Sequence, residues 1–203
     1  MAYNGENRKT NAQNTKQKIY ESATKLFSSK GFNEVSVDSI VKMAGVSKGS
    51  FYVHYASKDA LVTSLIEDHV AKVDMDYRKF LDAYPSDSST EALFLALIAK
   101  IADVLMDIGW DKLQVLYRAQ ITKDVDTGAV TSYNREIYKM FSDMLHRGIK
   151  RGEFKTDIPL DVLTKHYIMA IRGITYEWCI RYPNFDYKTE VLTHFKLVLK
   201  GLR

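Results

Sequence analysis

A chain of 203 residues with 46% hydrophobic side chains is long enough to bury a full core without help from metal or disulfides. Its one cysteine, Cys179, excludes an intrachain disulfide and a cysteine-rich metal cluster, reads as a buried inert thiol, and fits a reducing, cytoplasmic setting. The net charge of +4 is unevenly spread: nine of the 29 Lys and Arg and five of the 25 Asp and Glu lie in residues 1–59, which leaves 20 of each sign beyond and places the expected meeting with a polyanion near the amino terminus.

Residues 1–13 read as a disordered basic and polar arm; residues 1–18 have no apolar core and are not expected to act as a secretory signal. The longest apolar run, 92–99, is too short to span a bilayer. With ten Gly and three Pro, interruptions are few, which favours an all-α fold. Ile19, Ala23, Leu26 and Phe27 recur at helical spacing, and Gly31 stops that first helix. Ser36 is placed to cap a short second helix with Ile40, Val41 and Ala44 inward and Asp38 near its positive end; Gly45 follows its close. Ser47 then starts a third helix after only Gly45 and Val46, the form of a helix-turn-helix.

Ser57 caps a long fourth helix, with Val62, Ile66, Val70, Val73, Tyr77, Phe80 and Tyr84 along one face, that Pro85 ends. Ser88 and Glu91 form a capping-box pattern for a fifth helix to about Ile108, apolar nearly all round and therefore central. Further helices are expected over 110–123, around Ile137 to Ile149, from Pro159 to about Arg181, and from 187 to 202, about nine in all.

The third helix carries the chemistry. Ser47 caps it and leaves backbone amides free for phosphate, Lys48 adds charge, and Gly49 permits close approach of DNA at some cost in helix stability. Ser50, Tyr52 and His54 lie toward its exposed side, while Phe51 and Tyr55 anchor it.

The stretch 31–61, GFNEVSVDSIVKMAGVSKGSFYVHYASKDAL, resembles the DNA-binding region of the TetR/AcrR family in its Gly-Phe, its Ala-Gly-Val-Ser turn, and its Lys-Gly-Ser-Phe-Tyr ahead of Tyr55, Ser57 and Lys58. Spacing, caps, glycines and aromatics agree, over about residues 14–61. The resemblance implies a helix-turn-helix DNA-binding domain over 14–60 and a larger helical domain over 61–203 that binds an effector and forms a homodimer. It also implies operator contacts at Ser36, Lys48, Gly49, Ser50, Tyr52, His54 and Lys58, with both lysines on phosphates. Val53 stands where relatives often carry a polar or aromatic residue, and offers only an apolar contact.

Later segments, Arg151 to Pro159 and Gly173 to Phe185, resemble the last helices of TetR-type regulatory domains. Met106, Trp110, Tyr117, Phe141, Tyr167 and Trp178 are candidates for an effector cavity, with His166, Arg172 or Glu177 as polar partners, implying an apolar or aromatic small molecule. The stripe Val191, Leu192, Phe195, Val198 and Leu199 motivates a dimer built mainly from the last two helices, with part of the stripe also covering the core. The expected function is a ligand-responsive regulator, a repressor that leaves its operator when the small molecule binds.

Two other classes compete: a TetR-shaped co-regulator acting through protein partners, and a helical enzyme. The five histidines show no HExxH spacing, and there is no glycine-rich phosphate loop or nucleophile elbow, so no catalytic residue, cofactor or metal is expected. Asp124, Asp126 and Gly128 hint at a calcium loop, but the glycine comes one place early and Arg135 stands where the twelfth-position glutamate belongs.

Overall fold

The computed structural model describes residues 3–202, with side chains from residue 10 onward. Among these residues there is no strand, and the helices run α1 (Tyr3–Lys30), α2 (Val37–Ala44), α3 (Lys48–His54), α4 (Lys58–Asp82), α5 (Thr90–Ile108), α6 (Trp110–Thr122), α7 (Gly128–Thr131), α8 (Glu136–Lys150), α9 (Leu160–Arg181) and α10 (Tyr187–Lys200). The four-residue α7 lies in the segment read from sequence as a loop and its exit. None of the helices is long and apolar enough to cross a membrane.

α1 extends back into the segment expected as a disordered arm, whose first two residues lie outside those described. The extension has a simple cause. Residues 6–18 contain Glu, Arg, Lys, Gln and Ala and no Pro, and they grow from a turn already fixed by Ile19, Ala23, Leu26 and Phe27 in the core. The side chains of 10–18 are nearly all exposed, so backbone bonding with a few local side-chain bonds, such as Gln17 to Glu21, holds that part as helix.

The chain divides into two compact units, one formed by Met1–Ile66 with Val115–Asp126 and the other by Glu67–Gln114 with Thr127–Arg203. The division is not the linear one expected at residue 60. The start of α4 and the second half of α6 join the amino-terminal residues, because Leu61, Val62, Val115, Leu116 and Ala119 are all buried. The smaller unit is centred on Ile19, Ala23, Ile40 and Phe51, none of which exposes any surface. Burying each large apolar side chain stabilises the unit by about 1.5–3 kcal/mol. On the rim of this unit Arg118 of α6 pairs with Asp59 of α4.

In the larger unit α5 packs against both α8 and α10, and α9 against α8 and α10. The central position expected for α5 follows from Leu93, Phe94, Leu97, Ile98, Ile101 and Ala102, all buried. Phe94 is the hub of an aromatic cluster: its ring centroid lies 5.1 Å from that of Phe141, 5.2 Å from Tyr167 and 6.1 Å from Phe195. The α5 cap falls at Ser89, one residue after the one expected, and its hydroxyl accepts from the Ala92 amide. Ser88 is used otherwise: its amide closes a turn onto Pro85 and its carbonyl accepts from Arg147 and Arg151. Glu153, from the loop after α8, accepts the Thr90 amide in place of the Glu91 box. That loop lies tight against α8, since the Phe154 ring occupies the space that a Cβ on Gly148 would need.

An ion pair between buried Asp74 and half-buried Arg135 ties α4 to the entry of α8. Arg135 donates to both carboxylate oxygens of Asp74, at 3.1 and 2.7 Å, and to the Val130 carbonyl at 3.1 Å.

The apolar stripe assigned from sequence to a dimer face is mainly core: Val191, Phe195 and Leu199 are buried, and Leu192 and Val198 are half-buried. α10 turns them toward α5 and α9, which use the same 3.6-residue periodicity a dimer would use. The exposed apolar side chains of this region are instead Val162, Met169, Tyr176 and Ile180 on α9, and Leu197 on α10.

Candidate nucleic-acid interface

Local rules fix the α2–turn–α3 geometry. The Ser36 hydroxyl accepts from the Ser39 amide at 3.1 Å and the Ser39 hydroxyl accepts from the Ser36 amide at 3.1 Å, a reciprocal cap that starts α2. Gly45, at φ 66, ends α2 with its amide directed at the carbonyls of Val41 and Lys42, a left-handed turn that a side chain would strain. Ser47 then accepts from the Ser50 amide at 3.1 Å and opens α3. Phe51, fully buried, and Tyr55, buried at the C-cap, hold α3 down with their ring centroids 5.9 Å apart.

Around this anchor stand most of the residues expected to meet DNA. Ser47, Lys48, Gly49 and Tyr52 are exposed there, and Ser50 and His54 are half-buried. Ser36 is exposed at the start of α2. The Lys48 ammonium lies 2.9 Å from the Asp38 carboxylate, and this hydrogen bond and charge raise its pKa above lysine's ordinary value. Sequence had placed Asp38 only as a partner of its own helix dipole. Its reach across the turn depends on three-dimensional geometry that no local pattern encodes.

Lys58 differs from the expectation. Its ammonium donates to the carbonyls of Phe32 and Val35, both at 2.9 Å, and sits 3.8 Å from the centroid of the Phe32 ring. Two of its three N–H groups are thereby used inside the protein. Burial lowers its pKa, with Asp59 acting in the other direction. Lys58 clamps the α1–α2 connection through these bonds, a role the sequence reading did not give it beside the expected phosphate contact.

The candidate effector residues do not assemble at one place. Phe141 and Tyr167 meet around Phe94, and the Tyr167 hydroxyl is buried without a hydrogen-bond partner, its pKa raised by burial. Trp178 stacks on Tyr187 at 4.8 Å, and Trp110 on Tyr182 at 4.5 Å. Arg172 donates to the carbonyls of Val130 and Thr131 at 3.4 and 3.3 Å, and Glu177 pairs with Arg181. Met106 and His166 are exposed, because the faces of α5 and α9 that pack inward pass through other positions. Tyr117 lies in the α6 segment that belongs to the smaller unit.

The family model described as bacterial regulatory proteins, tetR family, matches residues 19–65, the segment that holds α2, the turn and α3. The HTH-type transcriptional regulator AcrR of Shigella flexneri is 24% identical over 204 residues, covering 95% of this chain and 91% of its own. Residues 19–65 match the tetR family, and the chain as a whole is similar to its members. It is a DNA-binding transcriptional regulator, similar to the regulators of that family.

Solved tetR-family structures share the fold over nearly the whole length. A regulator from Pectobacterium atrosepticum superposes with a TM-score of 0.73 at 16% identity, covering 95% of this chain and 96% of its own. FadR of Thermus thermophilus, a repressor solved with lauroyl-CoA, superposes with a TM-score of 0.66 at 19% identity, covering 91% of this chain and 93% of its own. Within the tetR frame the residues that sequence missed are Asp38, which holds Lys48, and Phe94, which joins Phe141 to Tyr167. The apolar run 92–99 marked Phe94 as core but gave no sign of its partners.

Proposed function

We propose that this protein is a homodimeric repressor that holds its operator through α3 and releases it when a small molecule binds in the larger unit. The observation that carries the reading is that α3 is anchored by buried Phe51 while Lys48, Gly49 and Tyr52 are exposed beside half-buried Ser50, together a solvent-facing face. Such a face supplies a cation and hydroxyl donors to phosphates and base edges. Ser36, Ser47 and His54 border it. One short helix reads only a few base pairs, so two copies are needed to span successive major grooves.

For the pairing surface the reading uses α9. Val162, Met169 and Tyr176 recur every seven residues, with Ile180 a further turn on, and all four are exposed. An apolar line at that spacing suits a second copy of the same helix. The domain limits proposed from sequence, 14–60 and 61–203, are amended to include the start of α4 and the second half of α6 in the DNA-binding part.

The effector is proposed to enter beside the aromatic cluster of Phe94, Phe141 and Tyr167, with the Tyr167 hydroxyl as its polar anchor. A dipole enclosed without a partner is costly, and a ligand acceptor would relieve it. The lauroyl-CoA held by the Thermus thermophilus repressor supports an effector with a long apolar part. Fluorescence anisotropy on labelled duplexes from the gene's own promoter tests the whole reading: binding is expected as a dimer, falling with salt, and weakening when lauroyl-CoA is added. By reciprocity the acyl-CoA must bind the DNA complex less tightly than the free protein. Equal affinity in both states would remove it as the switch.

A further inference from the structure

α3 has only seven residues, and two of them are poor choices for a helix. Glycine at 49 and a β-branched valine at 53 both lower helix propensity. Neither has a packing reason. A Cβ at Gly49 would meet nothing closer than the Ser47 hydroxyl at 3.8 Å, so alanine would fit there. Val53 is 80% exposed, more than any other large apolar side chain among the described residues. Single exposed apolar residues are common on proteins, but these two share a line. At about 100° per residue, Gly49 and Val53 each lie roughly 160° around the helix from Phe51, which is fully buried. The outward midline of the recognition helix is therefore a gap followed by two methyl groups, flanked by Ser50 and Tyr52 and with no hydrogen-bonding group of its own.

We infer that Val53 is a specificity-determining residue that reads the 5-methyl group of a thymine in the major groove, with Gly49 letting the helix approach closely enough for contact. Resting on the operator-binding role of α3, the inference adds which chemical feature of the base its centre recognises. The thymine methyl is the only apolar group that the base-pair edges present in that groove. An amide or guanidinium at 53 would select adenine or guanine by hydrogen bonds, and valine offers neither. Local choices that weaken an element and coincide on one exposed line are expected where function sets the residue.

The test uses the full-length protein and duplexes enriched from a random pool by binding to it. Each thymine of the enriched half-site is replaced in turn by deoxyuridine, which removes only the methyl group, and affinities are measured for the wild type and for Val53→Ala. Alanine is a better helix former than valine, so the variant keeps α3. At one position per half-site, loss of the methyl is expected to weaken wild-type binding about four-fold, the size of one buried methyl-sized group. Val53→Ala is expected to lose a similar factor on the thymine duplex and to be indifferent to the uracil exchange at that position. Enriched half-sites without a thymine, or a variant as sensitive to every exchange as the wild type, would overturn the assignment. Failure to enrich any duplex would instead defeat operator binding itself, a separate result.

Discussion

In the smaller unit the candidate side chains stand on three short elements that cap and pack one another within a few residues, whereas in the larger unit the candidates are divided between core and surface. Ser36, Gly45, Ser47 and Phe51 each act on neighbours three to five positions away. Phe141 and Tyr167, by contrast, meet only because both reach Phe94 of α5. Function carried by local geometry keeps a fixed sequence pattern, and function carried by packing between distant helices leaves none. A capped helix-turn-helix can thus be located before the structure is known, and a cluster such as that around Phe94 cannot.

Core truncation should show the contrast most strongly. Phe51→Ala and Phe94→Ala are each expected to destabilise their unit by about 3–5 kcal/mol. Phe51→Ala should abolish operator binding. Thermal melts followed together with DNA anisotropy would distinguish loss of α3 from general unfolding, and a Phe51 variant with intact DNA affinity would break the distinction between anchor and face.

Next in size is the ion pair of Asp74 and Arg135. Asp74→Asn leaves the Arg135 guanidinium without its counter-charge, and a loss of about 3 kcal/mol is expected in urea unfolding. A change below about 0.5 kcal/mol would mean that solvent already screens the pair.

The two lysines provide a sharper comparison. Lys48→Ala should weaken operator binding about five- to ten-fold and reduce the slope of log affinity against log salt by about 0.9, one phosphate contact. Lys58→Met should leave that slope unchanged while costing about 2 kcal/mol of stability, since its bonds go to the carbonyls of Phe32 and Val35. Equal slopes for the two variants would erase the difference in their assigned roles.

The smallest effect concerns Asp38. Its carboxylate competes with phosphate for the Lys48 ammonium, so Asp38→Asn should tighten binding to non-specific duplex by about two- to three-fold at low salt. Weaker binding of the variant would indicate that Asp38 orients Lys48 toward DNA rather than withholding it.

The fold itself was largely legible. Apolar periodicity located the main helices, and Gly31, Gly45 and Pro85 marked where three of them stop. Two kinds of information were not. Periodicity tells which face of a helix is covered but not by what, so Val191, Phe195 and Leu199 could be read as dimer face when α10 turns them into the core. Partners some sixty residues apart, such as Glu153 for the Thr90 amide and Arg135 for Asp74, have no local signature. The exposed positions around α3 were legible, whereas the internal bonds of Lys58 to the Phe32 and Val35 carbonyls were not.

The four-residue α7 is too short to hold itself as a helix in water. It persists because Arg135 and Arg172 both donate to the Val130 carbonyl, with Arg172 also reaching Thr131. The amides of Thr131 and Ser132, which close that single turn onto Thr127 and Gly128, are therefore protected from deuterium only while the guanidinium groups stay in place. Their isotope uptake should begin well before that of α8, so one mass-resolved peptide covering 128–134 becomes a clock for the first local opening of the larger unit.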